Sequence, residues 1–239
     1  MKITTAHRIN FFEVNENLEL RPRGLVNLLQ LAAMLHSREA GYEAPVLMKR
    51  GRAWILHRIG IDIARLPVFG DEVEVVTWHK ASGRFKSYRD FEIIKNGEKL
   101  VSATSLWLFI DLERKKILKP PQEIVEAYTV EPGDASEIDI DRWRPENGFE
   151  PDSTVTIATR PSDYDPLGHV NNALYFDYLE TLMGQVLENP PVVHRIMVQF
   201  NREISKDVSS VQAGLKTRGE GYIFKVTSAA GNNATGEFY

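Results

Sequence analysis

Ten consecutive residues carry the chain's densest chemistry: Asp163-Tyr164-Asp165-Pro166-Leu167-Gly168-His169-Val170-Asn171-Asn172. They combine two carboxylates, a Pro-x-Gly turn, an imidazole and two amides of the type that cap helices. An apolar helical run follows through Tyr175, Leu179 and Glu180. A carboxylate and a histidine can together orient or activate water. A helix start beside them would offer backbone N–H groups to a developing negative charge. It would also disfavour imidazolium, so a neutral His169 that polarises a carbonyl or positions water is expected.

Other chemistries find little support. The chain has no cysteine, which removes disulfides, thiolate nucleophiles and thiolate metal sites. Its six histidines are scattered without a His-x-x-x-His pair, so no metal and no cofactor is expected. There is no Gly-x-Ser-x-Gly elbow and no Walker loop, and Gly219-Glu220-Gly221 is a weak echo of a dinucleotide turn. A net charge of −4 gives no bulk attraction to nucleic acid or an anionic membrane. No apolar run reaches transmembrane length, and no signal-peptide core follows Met1. A cytoplasmic protein is expected.

The elements that must hold these residues read as two copies of one unit. Pro22-Arg23-Gly24-Leu25-Val26-Asn27 matches Pro166-Leu167-Gly168-His169-Val170-Asn171 at one offset, 166 − 22 = 144. His57-Arg58-Ile59 matches His194-Arg195-Ile196 at 194 − 57 = 137. Each copy starts with a short strand, Thr5–Val14 and Thr154–Arg160, and continues into an apolar helix. Strands follow over Trp54–Leu66, Glu72–His79, Phe85–Lys95 and Lys99–Asp111, the last two joined by an Asn96-Gly97 hairpin turn. The second copy repeats them as Val193–Glu203, Val211–Arg218, Tyr222–Ala229 and, after a Gly231-Asn232-Asn233 turn, a half-length Ala234–Tyr239. This pattern predicts an α+β protein in which each antiparallel sheet wraps one long helix. The expected division is residues 1–118, a linker over 119–151 with a short helix near Gln122–Tyr128, and residues 152–239. Trp143 argues for a packed extension in place of the linker.

Each site residue also has a plainer reading. Asp165 could simply bond its own turn, and His169 could be a packed histidine. At the offset of 144 their counterparts are Arg21 and Leu25, and this asymmetry favours chemistry. Asp163 ranks behind Asp165, as a structural carboxylate or a partner of Arg160. Asn171 repeats Asn27 and reads as a cap, while Asn172 stands against Leu28. Gly168 repeats Gly24 and would let the backbone approach a carbonyl. Glu203, from its position alone, is an exposed strand-end glutamate.

Several segments together resemble the acyl-ACP thioesterases, a tandem (double) hotdog family that includes bacterial relatives of the plant fatty-acyl thioesterases. They are Trp54–Ile59, Arg65–Val73 with Thr77-Trp78, Arg89-Asp90-Phe91, Ser102–Asp111, Asp163–Asn172 and Asn201-Arg202-Glu203. The resemblance implies hydrolysis of fatty acyl-ACP to free fatty acid and holo-ACP, with acyl carrier protein as partner and a homodimer possible. Acyl-CoA hydrolysis is the alternative, and a non-catalytic acyl-binding protein comes third. It places the catalytic acid on Asp165, the histidine on His169 and a water-orienting or basic glutamate on Glu203. The oxyanion would meet the helix start around Gly168, Val170, Asn171 and Asn172. The first copy would form a wall of the acyl pocket, with Leu25, Leu29 and Trp54 as lining. Two family positions depart: Leu167 stands where the plant enzymes have an asparagine, and Ile204 where they have a cysteine. Basic clusters at Lys49, Arg50 and Arg52 and at Arg114, Lys115, Lys116 and Lys119 could meet an acidic carrier.

Overall fold

Asn96 and Gly97 both take positive φ, 51° and 80°, the conformation a two-residue hairpin requires. The computed structural model describes residues 1–239, and two units emerge, Met1–Arg142 and Trp143–Tyr239. The first contains β1 (Lys2–Arg8), α1 (Pro22–Glu39), α2 (Ala44–Lys49), β2 (Arg52–Ile63), β3 (Glu72–Ser82), β4 (Lys86–Lys95), β5 (Glu98–Asp111), β6 (Lys116–Ile117) and α3 (Gln122–Ala127). Its strands run antiparallel in the order β1-β3-β4-β5-β2, with the two residues of β6 on β5. The second contains β7 (Ser153–Ala158), α4 (Leu174–Val186), β8 (Arg195–Phe200), β9 (Ser210–Arg218), β10 (Gly221–Ser228) and β11 (Gly231–Phe238), in the order β8-β11-β10-β9-β7. No helix is long and apolar enough to cross a membrane.

In the first unit, α1 buries Leu25, Val26, Leu28, Leu29, Ala32, Ala33 and His36, an i, i+3, i+4 stripe laid on β3 and β1. Each buried leucine contributes about 1.5–3 kcal/mol. Pro22 opens the helix, where its missing N–H costs nothing. In the second unit, α4 buries Leu174, Tyr175, Phe176, Tyr178, Leu179 and Leu182 against β7 and β9. The second unit's last turn lies at Ala229-Ala230, not at Gly231-Asn232-Asn233, because both asparagines belong to β11.

The stretch expected as a linker, 119–151, is packed. Its first part stays on the α1 side, where Tyr128 packs edge-on to His36 with ring centroids 5.7 Å apart, and the stretch from Ala135 to Asp141 lies on the opposite face, the one that Asp90 faces. Asp90, fully buried, accepts bonds from Thr104 Oγ1 at 2.7 Å and from the Ala135 N–H at 2.9 Å. Arg58 donates to the carbonyls of Ile140 and Asp141, and Lys86 and Tyr88 hold the Asp141 carboxylate at 2.5 and 2.8 Å. The acidic segment is ordered by donors that alternate along the sheet. From Trp143 onward the chain joins the second unit, where Trp143 Nε1 donates to Glu237 at 2.8 Å.

The internal repeat has a different register from the sequence match at 144. Bridges Val14–Leu20 and Tyr164–Val170 correspond at an offset of 164 − 14 = 150. The backbone bonds follow it. Asn15 N–H to Glu19 O recurs as Asp165 to His169, both at 2.8 Å, and Arg21 to Glu13 recurs as Asn171 to Asp163, both at 3.0 Å. Helix burial agrees, with Leu25, Val26, Leu28, Leu29 and Ala32 answering Tyr175, Phe176, Tyr178, Leu179 and Leu182. Bridges Glu19–Val68 and His169–Ser205 then fit the offset of 137. The change from 150 to 137 falls where the first unit carries α2.

His36 and His79 are buried in the first unit as neutral rings. Burial first, and then the Arg89 charge, pulls them down to about 3 and about 4. Unfolding returns both to about 6.5. The unfolded chain then holds more protons than the folded one below about pH 6.5, so stability present above that pH is lost as pH falls towards those lower values. The slope reaches about 1.4 kcal/mol per pH unit for each histidine. Glu13 and Asp71, lowered from 4.5 and 3.8, act only in more acid solution. Denaturant titrations at about pH 7 and about pH 5 should show this loss, and His79→Asn should reduce it. Equal stability at both pH values would contradict neutral burial.

Candidate active site

A short 3-10 turn, Pro161–Asp163, ends β7's run and hands the chain to the Asp165 loop. Asp163 is 1% exposed and fully engaged. Its carboxylate accepts from the Arg160 N–H at 2.9 Å, Arg160 Nε at 3.0 Å and Tyr178 OH at 3.2 Å. Glu13 does the same work in the first unit, accepting from the Asn10 N–H at 2.7 Å. Asp163 is therefore architectural.

Asp165 closes the next turn. Its N–H donates to the His169 carbonyl at 2.8 Å, and its carbonyl accepts from Gly168 at 2.9 Å. Its Oδ1 accepts from the Leu167 N–H at 2.8 Å and, at 3.4 Å, from that of His169. The true counterpart is Asn15, not Arg21, and Asn15 Oδ1 accepts from Asn17 and Glu19 at 3.0 Å each. The turn needs a short side-chain acceptor, and an amide suffices. Gly168 sits at φ 82°, where Leu18 of the first unit takes φ 62°. A left-handed leucine costs about 1–2 kcal/mol that glycine avoids.

The turn delivers His169 to Glu203. Val170 donates to the Ile204 carbonyl at 2.9 Å and His169 bridges to Ser205, so the 163–172 loop is stitched to the loop after β8. His169 Nε2 then lies 3.1 Å from Glu203 Oε2, with side chains 27% and 35% exposed. A carboxylate only accepts, so the imidazole donates from Nε2. At this exposure the pair is worth at most about 1 kcal/mol to stability. The first unit has Glu19 opposite His169 and Leu66 opposite Glu203, and so has no such pair.

The expected open helix start is absent. Helix α4 begins at Leu174, after a turn at Asn172-Ala173. The N–H groups of Gly168, Val170 and Asn171 donate to the carbonyls of Asp165, Ile204 and Asp163, and His169's to Asp165 Oδ1. They are engaged inside the protein and are not poised to receive an oxyanion. Asn171 caps locally, its Oδ1 accepting from the Ala173 N–H at 2.8 Å. Asn172 lies in the turn before α4. Leu25 and Leu29, on the buried face of α1, are core residues each 1% exposed. Half-buried Trp54 packs on Phe109 at a ring distance of 5.0 Å.

Two residues around the pair were not singled out from the sequence. Asn233, fully buried in β11, donates from Nδ2 to the carbonyls of Arg202 and Glu203 at 3.3 and 3.2 Å. Its backbone carbonyl accepts from the N–H groups of Asn201 and Arg202. It clamps the backbone that presents Glu203. Its signal was a repeated asparagine next to a glycine, which also spells a turn. Tyr175, 3% exposed on α4, stacks edge-on to Phe200, and burial first, then Tyr178 and the Glu203 charge, raises its hydroxyl well above the usual range.

Residues 1–128 match the acyl-ACP thioesterase N-terminal domain, and residues 149–235 the C-terminal domain. The chain belongs to the acyl-ACP thioesterase family. It is 28% identical over 229 residues to a chloroplastic acyl-[acyl-carrier-protein] hydrolase of Cuphea viscosissima, covering 90% of this chain and 55% of that one. The chain spans about half the length of the curated relatives it matches. An acyl-ACP thioesterase from Bacteroides thetaiotaomicron superposes with a TM-score of 0.87 at 22% identity, covering 99% of this chain and 96% of the other. The 12:0-ACP thioesterase from Umbellularia californica gives 0.86 at 22%, with the same coverage. The fold is the tandem hotdog of acyl-ACP thioesterases, as the sequence resemblance implied.

Within this acyl-ACP thioesterase scaffold the first unit shows that an amide sustains the Asp165 turn. Asp165→Asn should therefore change unfolding free energy by less than about 1 kcal/mol, while Asp165→Ala should lose about 1 kcal/mol or more by leaving the turn N–H groups unanswered. Thermal or denaturant unfolding of both variants checks this. Equal destabilisation by the two would mean the turn depends on charge.

Proposed function

We propose that the chain hydrolyses the thioester of fatty acyl-ACP, releasing free fatty acid and holo-ACP. The observation that carries the reading is the His169–Glu203 pair at 3.1 Å, built in one unit only and contributing little to stability. Glu203 accepts the Nε2 proton of His169 and so fixes the tautomer that leaves Nδ1 basic. Nδ1 takes a proton from water as the water attacks the thioester carbonyl. The leaving thiol has a pKa of about 8.5, so departure needs no strong general acid.

Asp165 is the third member by family resemblance. One of its oxygens serves the turn, and the other is free to orient the water. Direct attack by Asp165 through an anhydride is the alternative, and heavy-oxygen water in a single turnover distinguishes the two, since only the anhydride route labels the enzyme carboxylate. Leu167 supplies no amide, so in this reading the water is held by Asp165, His169 and Glu203, or another group takes the place of the amide. The first unit contributes no acid–histidine pair and acts as scaffold and acyl-pocket wall, with half-buried Trp54 as lining. Carrier recognition falls to a basic surface, and hydrolysis of one acyl group on ACP and on CoA separates the two carrier classes.

Acyl-ACPs of several chain lengths, assayed beside the matching acyl-CoAs, test the reading. His169→Ala and Glu203→Gln should each lower kcat/KM by about 10²- to 10⁴-fold. The double variant should fall little further, because the two residues act as a unit. Asp165→Asn should also lose activity while keeping its fold. Full hydrolysis by folded Glu203→Gln would remove the pair from the mechanism.

A further inference from the structure

Asn233 is fully buried, yet only half of its amide is answered. Nδ2 donates to the carbonyls of Arg202 and Glu203. Oδ1 has no donor. Burying an amide atom in that state costs stability. The residue stands in a bulge of β11. Ala234 pairs with Val226 and Asn232 with Thr227, which leaves Asn233 as the extra residue between them. A bulge re-aims a side chain, and here it turns an amide onto the peptide units around Glu203.

The first unit has the same bulge with another side chain in it. Phe91 and Phe224, each 1% exposed, anchor the correspondence, pairing with Thr77 and Ala103 in one unit and with Leu215 and Gly236 in the other. The offset along these strands is 224 − 91 = 133, so Arg89 answers to Tyr222 and Ser105 to Phe238. The same offset sets Leu100 against Asn233. Leu100 is the extra residue between Lys99, which pairs with Ile94, and Val101, which pairs with Ile93. The backbone agrees. The Leu100 carbonyl accepts from the N–H groups of Ala64 and Arg65 at 3.0 and 3.2 Å, and that of Asn233 from Asn201 and Arg202 at 2.8 and 3.2 Å. The bulge and its carbonyl therefore belong to the architecture. The amide does not, because a leucine 1% exposed fills its place in the first unit.

What the amide adds is a hold on Glu203. The carbonyls of Arg202 and Glu203 go to Asn233, and that of Ile204 goes to the Val170 N–H at 2.9 Å. Three successive peptide units are thus fixed, and with them the direction in which the Glu203 side chain leaves the backbone. In the first unit the third bond recurs, from the Leu20 N–H to the Pro67 carbonyl at 2.8 Å. Leu100 has no donor for the carbonyls of Arg65 and Leu66, and Leu66 has no side chain that needs aiming. We propose that Asn233 is a positioning residue for hydrolysis, one that holds Glu203 where it accepts the Nε2 proton of His169. A carboxylate 35% exposed has little packing of its own to keep it there, and a misplacement of about 1 Å can cost about 10²-fold in rate. The assignment rests on the hydrolytic reading of the His169–Glu203 pair.

Asn233→Leu in the whole chain tests it, because leucine has the same branched shape and is the first unit's own residue. The variant should unfold no more readily than the unaltered protein. On an acyl-ACP its kcat should fall by about 10- to 10²-fold with KM unchanged. Combined with Glu203→Gln it should cost no more than Glu203→Gln alone, since the amide acts only through that carboxylate. Asn233→Ala removes the amide and adds no bulk, and it carries the same comparison if leucine is not accommodated. A further readout needs no substrate. Nitrogen-15 shifts of the His169 ring should place the proton on Nε2 in the unaltered protein and spread it over both nitrogens in the variant. If that change occurs but the unaltered protein hydrolyses no acyl-ACP, the hydrolytic reading falls and the hold on Glu203 stands. A folded variant with an unmoved ring proton would overturn the proposal, as would unchanged kcat or a double variant whose losses multiply.

Discussion

The contact between His169 and Glu203 depends on a scrap of β-ladder, the Val170 N–H to the Ile204 carbonyl at 2.9 Å with the His169–Ser205 bridge beside it. Neither side chain is held by its own packing, since each is more than a quarter exposed. The pairing must come from backbone on both sides. On one side the Asp165 turn, with its left-handed glycine, sets where residue 169 leaves the loop. On the other, Asn233 ties the carbonyls of Arg202 and Glu203 to β11. Remove either support and two surface side chains remain with about 1 kcal/mol or less to hold them together.

The first unit has the same ladder without the pair. Leu20 donates to the Pro67 carbonyl at 2.8 Å, Glu19 bridges to Val68, and Asn15 closes the turn. The backbone device is therefore a property of the unit, present before any chemistry was placed on it. This reverses part of the reasoning from sequence. Asp165 looked unique because it was set against Arg21. Set against Asn15, its turn-forming role is shared, and only its charge distinguishes it. His169 and Glu203 gain in standing, because glutamate and leucine hold their places in the other unit.

Much of the fold was legible. Alternating apolar residues, the Asn96-Gly97 turn and the wide apolar stripes of the two helices each have one physical reading, and duplication was visible in their order. The register was not. Pro-x-Gly-x-Val-Asn recurs by coincidence, once inside a helix at Pro22 and once in a turn at Pro166, because proline and glycine suit a helix start as well as a turn. Glu203 was the least legible part of the site. An exposed glutamate after a strand carries no local signal, and its partner comes from 34 residues earlier through a bridge that only tertiary structure makes. The packed 119–142 segment failed for a related reason. Its acidic composition resembles a linker, and the donors that bind it are spread across four strands.

The two units together separate what the hotdog architecture needs from what it tolerates. Needed features recur: a 3-10 turn braced by Glu13 or Asp163, an Asx-type turn, a helix with the same buried positions, and a phenylalanine at 91 and 224. Features found in one unit lie at odds with stability. The second unit's pair is too exposed to add more than about 1 kcal/mol. The first unit's Arg89 is buried without a counter-charge, and desolvating such an ion costs several kcal/mol. Its histidines are held neutral at a cost that grows in acid. Because the sister positions are filled by leucine, tyrosine and phenylalanine in a sheet of the same topology, an apolar alternative is compatible with this fold.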